Sequence, residues 1–556
     1  MNSDRFKSKS KVTKQKLRGG YYTPSLLAKF VCQQVINKDS VHILEPSFGD
    51  GNFLEECTTT LSARSHARDV RITGVELDNI EFKKGVQRIM ESSNDRLSLS
   101  FHNADFFTIY PQLKAAGVNA VVGNPPFIRF QHFDETSRNT AFKHLFDSGF
   151  KPNKLANAWA AFVQLSITLL NEGGNLGMVI PAELLQVKYA EELRVQILTH
   201  FDYTTIIGFD KIVFPDILQE VVILLCHGKR KENHNSLFPG MIRYVSVENG
   251  ASLSRLTLDE HKFITPDPTL LSGHKWTSLF VDRWVVDKML KCLKNEGVTL
   301  LGEHVSVNVG IVTGRNKFFV VNEQTTDDYE LHEFTTPLVG KTSALESIDF
   351  DDADYVKYKV QYPARLLDLK GIHENEFTPG LRRYINEGES EGVHQGYKCR
   401  IRQRWYEVPS VYIPDGFLYR QIYKYPLLVN NSSNLVCTDT IHRVRLKNKS
   451  IDMDLLSASF VNSFTFAWSE LYGRSYGGGV LELEPREAEQ LPIIYPDQNV
   501  LNVKHIKELV AENKIIEALD YVDELLLHRY LNVPKSMTTN FRNVWLTLSE
   551  RRNGRT

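Results

Sequence analysis

Asn124-Pro125-Pro126-Phe127 is built from residue types suited to holding a planar exocyclic amine. The Asn124 side-chain oxygen and the Pro125 carbonyl can each accept a hydrogen from an –NH2 group. The two prolines fix the local backbone, and with it the direction of that carbonyl. Phe127 offers a flat face on which a heteroaromatic ring can stack. Taken alone, the tetrapeptide fits a strand-end turn with a packing aromatic equally well. Its position is more telling. It follows Ala120-Val121-Val122-Gly123, an apolar run that reads as a buried strand. That puts it at a strand's carboxyl end, where open α/β sheets place their ligands.

Three earlier strand ends carry complementary chemistry. The first leads into Glu45-Pro46-Ser47-Phe48-Gly49-Asp50-Gly51-Asn52. Glycines in a strand-to-helix turn let the backbone approach a ligand closely. The turn lacks the full G-x-G-x-x-G fingerprint and the G-K-[ST] of a P-loop, so it is not built for pyrophosphate. The second ends in Gly74-Val75-Glu76, a carboxylate placed to accept from both hydroxyls of a ribose. The third leads to Asn103-Ala104-Asp105-Phe106, where Asp105 could accept from an adenine amino group. Each acid alone reads as an exposed loop residue. Together, in this order, they point to an adenosine ligand without a phosphate anchor, which describes S-adenosylmethionine.

The elements that must position these groups alternate in the manner of an α/β domain. Runs at Val41–Glu45, Ile72–Glu76, Leu99–His102, Ala120–Gly123, Leu176–Ile180, Thr204–Phe209 and Glu220–Cys226 predict seven strands. Stretches of helical length between them, such as 157–170 and 183–200, predict helices on both faces. The last two strands are too close for a long crossover and are expected to be antiparallel.

Composition bounds the rest. A chain of 556 residues holds more than one domain. Apolar residues at 42% and charged residues at 24% describe an ordinary globular protein. The net charge of −1 requires any nucleic-acid surface to be a local patch. Six scattered cysteines form no C-x-x-C pair, so neither a zinc site nor a disulfide framework is signalled, as suits a reducing cytoplasm. No apolar run is long enough to span a membrane. Residues 1–18 are strongly basic with no apolar segment behind them, and read as a flexible solvated tail that could touch phosphates.

These motifs, in this order, resemble the gamma group of amino-specific DNA methyltransferases, typically adenine-N6 enzymes of type II restriction–modification systems. The likeness covers residues 17–226. Gly19-Gly20-Tyr21-Tyr22-Thr23-Pro24 resembles the opening motif that closes the methionine end of the cofactor site. Glu45 with its glycine turn resembles the first cofactor motif, and Glu76 and Asp105 the second and third. Asn124–Phe127 resembles the catalytic motif in its Phe form. Phe214, within Ile212-Val213-Phe214-Pro215, resembles a late aromatic that stacks on the target base, although core packing is the alternative.

The resemblance implies a class I S-adenosylmethionine-dependent methyltransferase fold, Rossmann-like, over residues 19–235. A mixed α+β DNA-recognition domain over 240–556 would follow. It implies S-adenosylmethionine as cofactor, no metal, and a cofactor site drawn from Tyr22, Thr23, Pro24, Glu45, Ser47, Gly49, Gly51, Glu76, Asp105, Phe106 and Asn124. Asn124, Pro125, Pro126 and Phe127 would act on an adenine flipped out of duplex DNA, with Phe127 and Phe214 stacking on the base. Accepting both amino hydrogens favours a pyramidal nitrogen, whose lone pair can take a methyl group by placement and electrostatics. The implied enzyme is a cytoplasmic monomer, with a restriction endonuclease as its genetic rather than physical partner. A protein-glutamine or RNA methyltransferase, and a non-enzymatic DNA-binding protein on the same scaffold, stay open as alternatives.

Beyond residue 240 the regular alternation stops. Lys398, Arg400, Arg402 and Arg404 recur at period two, which predicts one cationic face of a strand. Aromatics follow from Trp405 to Tyr425, and cations interleaved with aromatics suit phosphate and base contacts. Arg315 and Lys317 in a glycine-punctuated turn, and Arg474 in the glycine-rich loop 473–479, are further candidate DNA contacts. Apolar spacing over 503–529 predicts packing helices, and 229–240 reads as the linker.

Overall fold

The computed structural model describes residues 23–63, 70–92, 97–129, 133–151, 157–211, 220–231, 239–271, 275–476, 479–496 and 500–553. The basic tail, Tyr22 and Phe214 lie outside these residues. The chain divides into two compact units, with the break between Phe280 and Val281.

The first unit runs α1 (Ser25–Val35), β1 (His42–Glu45), α2 (Asn52–Ser62), β2 (Val70–Glu76), α3 (Asn79–Ser92), β3 (Leu97–Asn103), α4 (Phe106–Ala116), β4 (Val118–Gly123), α5 (Glu135–Asp147), α6 (Ala158–Leu169), β5 (Leu170–Pro181), α7 (Glu191–His200), β6 (Phe201–Phe209), β7 (Val221–Lys229) and β8 (Met241–Val247). Its strands form one sheet in the order β3-β2-β1-β4-β5-β7-β6-β8. The first five are mutually parallel. β7 is antiparallel to both β5 and β6, as expected for so short a connection, and β8 is parallel to β6.

Two expectations need correction. The sheet has eight strands where seven were predicted. The stretch 229–240 joins two strands of this sheet, so it is not an interdomain linker, and the boundary falls at 280/281 instead of 235–240. The eighth strand buries Ile242, Val245 and Val247 against the existing core. It follows 229–240, a stretch that reads as a linker, so βα alternation could not announce it.

Alternation along the strands builds two cores. Ile43 faces one side with Leu27, Val31, Phe53 and Ile89 from α1, α2 and α3. Leu44 faces the other with Phe107, Trp159, Phe162 and Leu193 from α4, α6 and α7. α6 is buried nearly all round, the property of a helix apolar on every face. Polar side chains repair the backbone where the packing would orphan it. Pro111 sits inside α4 and has no N–H for the Phe107 carbonyl four residues back. His144 of α5 donates from Nε2 to that carbonyl at 3.0 Å. His42 on β1 bridges the Gly117 carbonyl (2.7 Å) and Thr73 Oγ1 (2.9 Å), joining β1 to β2 and to the start of β4.

The second unit holds a four-stranded antiparallel sheet, ordered 305–309, 441–446, 416–419, 428–430, and a second four-stranded sheet ordered 320–321, 365–367, 335–339, 436–437. Helices follow at Met453–Phe460, Ser463–Tyr472, Val503–Ala511, Ile515–Val522 and Lys535–Asn553. The fully buried Arg552–Glu470 ion pair (2.9 Å) ties the last helix to Ser463–Tyr472, and Arg552 also donates to the carbonyls of Tyr423 and Gly479. Among the described residues no helix is long and apolar enough to cross a membrane.

α1 matters most for the site because Thr23 and Pro24 lead into it. It lies so close on β5 that a Cβ at Gly177 would come within 2.4 Å of Val35 Cγ2 and 2.6 Å of Val31 Cγ1. Gly177→Ala should therefore push α1 outward. We expect a loss of about 1–3 kcal/mol in urea unfolding, together with weaker cofactor binding. Wild-type values for both would show that α1 tolerates displacement.

Candidate active site

β1 and β4 lie side by side and parallel, while β2 and β3 extend from β1 in the opposite direction. Their carboxyl ends therefore open at the topological switch point of the sheet. Glu45 closes β1, Glu76 closes β2, and Asn124 follows β4.

Hydrogen bonds gather the separate motifs into one site. Asn124 Nδ2 donates to Thr23 Oγ1 at 3.0 Å. Asn52, the first residue of α2, donates from Nδ2 to the Thr23 carbonyl and accepts from Ser25 Oγ at 3.1 Å. Ser47 Oγ reaches the Asn124 main-chain carbonyl at 3.5 Å, the limit of a hydrogen bond. The Gly49 amide donates to Glu76 Oε2 at 2.9 Å, and the Asp78 amide to Glu76 Oε1 at 2.7 Å. Asn52 was missed as a site residue in the sequence. Its partner is 29 positions away, and only its place directly after the glycine turn hints at a role.

The two glycines of that turn divide the work. Gly49, at φ +54°, would carry a Cβ into open space, so the backbone there is accessible to a ligand. Gly51, at φ +85°, would carry one to 2.9 Å from the Gly85 Cα of α3. Its need for glycine comes from helix packing as well as the left-handed turn.

Electrostatics single out the acids. Glu45 is almost fully buried, and its Oε2 has no hydrogen-bond partner among the described residues. Burial pushes its carboxyl well above the usual carboxylate range, reinforced by Cys57, Asp50 and Glu76 and opposed by the Leu54 amide. Burial also raises Glu76, against the opposing amides of Asp78 and Gly49. Asp105 caps α4, accepting from the Phe107 amide at 3.1 Å. Phe127 is half-buried and packs against both cores. Pro125 is buried, Pro126 half-buried. Phe106 is buried and stacks on Phe162 at 5.0 Å, so its ring belongs to the core beneath the crevice. A helix starting at Phe106 turns that ring inward, which the linear motif could not reveal.

These residues fit an S-adenosylmethionine molecule. A buried carboxylate with a bare oxygen suits a cationic group, an accessible glycine backbone allows close approach, and a carboxylate held by two amides suits a diol.

The basic residues of the second unit are rearranged relative to the prediction. Tyr397–Arg400 is a helical turn followed by bends, so Lys398, Arg400, Arg402 and Arg404 do not share one strand face. Lys398 and Arg400 are exposed. Arg402 folds inward, donating to the carbonyls of Val312 (3.1 Å) and Thr313 (2.7 Å). Arg404 pairs with Glu407 and donates to the Ile372 carbonyl at 2.8 Å. Arg474 lies on a short strand and pairs with Glu487 at 2.9 Å, so its charge is compensated within the unit. Arg315 and Lys317 are exposed. Period-two spacing misled here because Cys399 alone supplies an inward apolar anchor, and one anchor suits a helical turn as well as a strand.

Two predictions follow from the acids. A carboxyl raised in the folded state keeps its proton longer when folded. It therefore favours the fold at low pH, and that contribution is lost as pH rises from the ordinary carboxylate range through the raised value. Glu45→Gln should thus raise the neutral-pH melting temperature of the cofactor-free protein, by roughly 2–4 °C per 1 kcal/mol relieved, while weakening cofactor binding. A lower melting temperature with unchanged affinity would make Glu45 purely structural. Cofactor affinity should also fall on acidification at a pH above the usual carboxylate range, as Glu76 takes up its proton. Glu76→Gln should flatten that profile in calorimetry, and an unchanged profile would remove Glu76 from the site.

Comparison with known proteins agrees with this geometry. Residues 7–261 match the family model for N-6 DNA Methylase. Residues 273–527 match the model for the C-terminal domain of the Type II methyltransferase M.Eco57I. The Type II methyltransferase M.AccI of Acinetobacter calcoaceticus is 22% identical over 92% of this chain and 93% of its own length. The Type II methyltransferase M.BstVI of Geobacillus stearothermophilus is 21% identical over 93% and 96%. A solved structure of the Type IIL restriction–modification enzyme MmeI in complex with DNA shares the fold, with a TM-score of 0.56 over 95% of this chain and 74% of that one at 14% identity. The first model matches the residues that build the crevice and the second the residues that follow, and the chain is an adenine-specific DNA methyltransferase of the type II restriction–modification kind, with S-adenosylmethionine as methyl donor.

Proposed function

We propose that this enzyme belongs to the gamma group and methylates N6 of one adenine, flipped out of a specific duplex sequence, at the β1–β4 switch point. The observation that carries the reading is the hydrogen bond from Asn124 Nδ2 to Thr23 Oγ1 at 3.0 Å. It fixes the amide of the tetrapeptide against the segment that borders the cofactor motifs.

In this reading Thr23, Pro24, Glu45, Ser47, Gly49, Gly51, Glu76 and Asp105 hold the cofactor. Glu76 accepts from the ribose diol, Asp105 from the adenine amine, and Glu45 faces the charged methionine end. The bound cofactor supplies an electrophilic methyl group on a sulfonium. The chain's own residues prepare the acceptor. Asn124 Oδ1 and the Pro125 carbonyl accept the two hydrogens of the target amine, which localises the nitrogen lone pair. Phe127 stacks on the flipped base, offsetting part of the lost base stacking. Pro125 and Pro126 keep the acceptors aligned without reorganisation.

The second unit recognises DNA, with the exposed Arg315, Lys317, Lys398 and Arg400 among its contacts. The enzyme acts as a cytoplasmic monomer and protects DNA from an endonuclease that is its genetic partner. The rival acceptors, protein glutamine and RNA, find no support in the two matching family models, both of DNA methyltransferases.

Asn124→Ala should lower methyl transfer about 100-fold or more, by analogy with the loss of one oriented transition-state hydrogen bond, while cofactor affinity stays within a few-fold. The readout is labelled-methyl incorporation into duplex DNA with separation of product nucleosides. Label in N6-methyladenine is expected. Label in N4-methylcytosine, or undiminished transfer by the variant, would contradict the reading. Neutralising Arg315 or Arg400 should lower the slope of log K against log salt by about one per lost phosphate contact.

A further inference from the structure

The helical turn that replaces the expected basic strand presents more than charge. Tyr397 and Ile401 are 66% and 60% exposed, among the most exposed large apolar side chains of the second unit. Tyr397 opens the turn, and Ile401 follows it with helical backbone angles (φ −84°, ψ −4°). At a spacing of four they lie one above the other on the same face. Cys399, between them, is buried. The turn thus keeps its smallest apolar residue inside and turns its two largest outward. A single exposed apolar residue is ordinary, but two adjacent ones ringed by cations mark an interaction surface.

The surroundings indicate the partner. Lys398 and Arg400 flank the pair within the turn, and Lys398 Nζ lies 5.9 Å from the Tyr397 ring centroid. The loop carrying Arg315 and Lys317 is close by, since a Cβ at Gly314 would come 2.7 Å from Lys398 Cβ. Neither 312–317 nor 397–405 contains an acidic residue. Arg402 locks the two segments together through the Val312 and Thr313 carbonyls, and its guanidinium carbon lies 5.4 Å from the Phe319 ring centroid. The result is a preorganised apolar tip set in positive charge. That complementarity fits a polyanion with apolar surface inside its charged rim, which is the groove of a duplex.

We propose that Tyr397 and Ile401 contact base edges in a groove of the target DNA, while Lys398, Arg400, Arg315 and Lys317 hold the flanking phosphates. Tyr397 and Ile401 are then specificity-determining residues. This rests on the assignment of DNA recognition to the second unit and goes further by naming side chains that read sequence without charge. Cations on phosphates position a protein on any duplex, whereas apolar contacts to base edges discriminate.

The test uses the full-length enzyme and its recognition duplex, identified by methylation-sensitive sequencing of host DNA, alongside a duplex changed at one base pair. Tyr397→Ala and Ile401→Ala, alone and together, are compared with Tyr397→Phe. The alanine variants should lose about 10-fold or more in affinity for the cognate duplex, as for an interface hot spot, and much less for the altered one. The salt slope should be unchanged and the melting temperature preserved. Tyr397→Phe should stay near wild type. Cognate affinity and discrimination within two-fold of wild type in the double variant, while wild type methylates the duplex, overturn this inference and leave the function intact. Equal losses on both duplexes overturn the base-reading role. A wild-type enzyme that neither binds nor methylates duplex DNA removes the assignment on which the inference rests.

Discussion

Two parallel strands that end side by side leave polar groups that their own ladder cannot satisfy. At the β1–β4 switch point these include the Glu45 carboxyl at the end of β1 and the Asn124 amide after β4, beside Thr23 at the entry to α1. A buried polar group without a partner costs about 1–3 kcal/mol, so the surrounding structure is organised to meet that demand. Asn52 and Asn124 hold Thr23 between them, and Gly49 and Asp78 lend their amides to Glu76. The bare oxygen of Glu45 is the exception. Functional sites are where such exceptions are expected, because a group left unsatisfied by the fold is available to a ligand.

The rest of the first unit supports that cluster at a distance. α1 can bring Thr23 to the strand ends only because Gly177 lets it settle on β5. α2 can present Asn52 only because Gly51 permits close approach to α3. α4 begins at the right place because Asp105 caps it, and it tolerates Pro111 because His144 supplies the missing donor. Each device is local, yet each sets the position of a group in the crevice. Small volume changes far from the chemistry should therefore register in cofactor binding.

Much of this was legible in the sequence, for a physical reason. Glycines in turns, prolines after a strand and acids at strand ends announce themselves through short-range chemistry, so Glu45, Gly49, Glu76 and Asn124 could be placed before any coordinates. What failed needed long-range information. β8 lies beyond a stretch that reads as a linker, so nothing local marks it as part of the sheet. The alternating Lys398–Arg404 cations fit strand spacing, but Arg402 is held by carbonyls some ninety residues earlier, and a helical turn satisfies Cys399 equally well. Asn52 carries no local signal of its role because its partner, Thr23, lies 29 positions away.

The most direct test of the account is single-turnover methyl transfer by Asn52→Ala at saturating cofactor and DNA. Asn52 donates to the Thr23 carbonyl, and Thr23 Oγ1 accepts from Asn124 Nδ2. If the three residues form one positioning unit, the rate should fall by about 10-fold or more, equivalent to roughly 1.4 kcal/mol of lost transition-state stabilisation, with the fold preserved by circular dichroism and melting temperature. A wild-type rate in a folded Asn52→Ala enzyme would contradict the claim that this hydrogen-bonded cluster positions the catalytic amide.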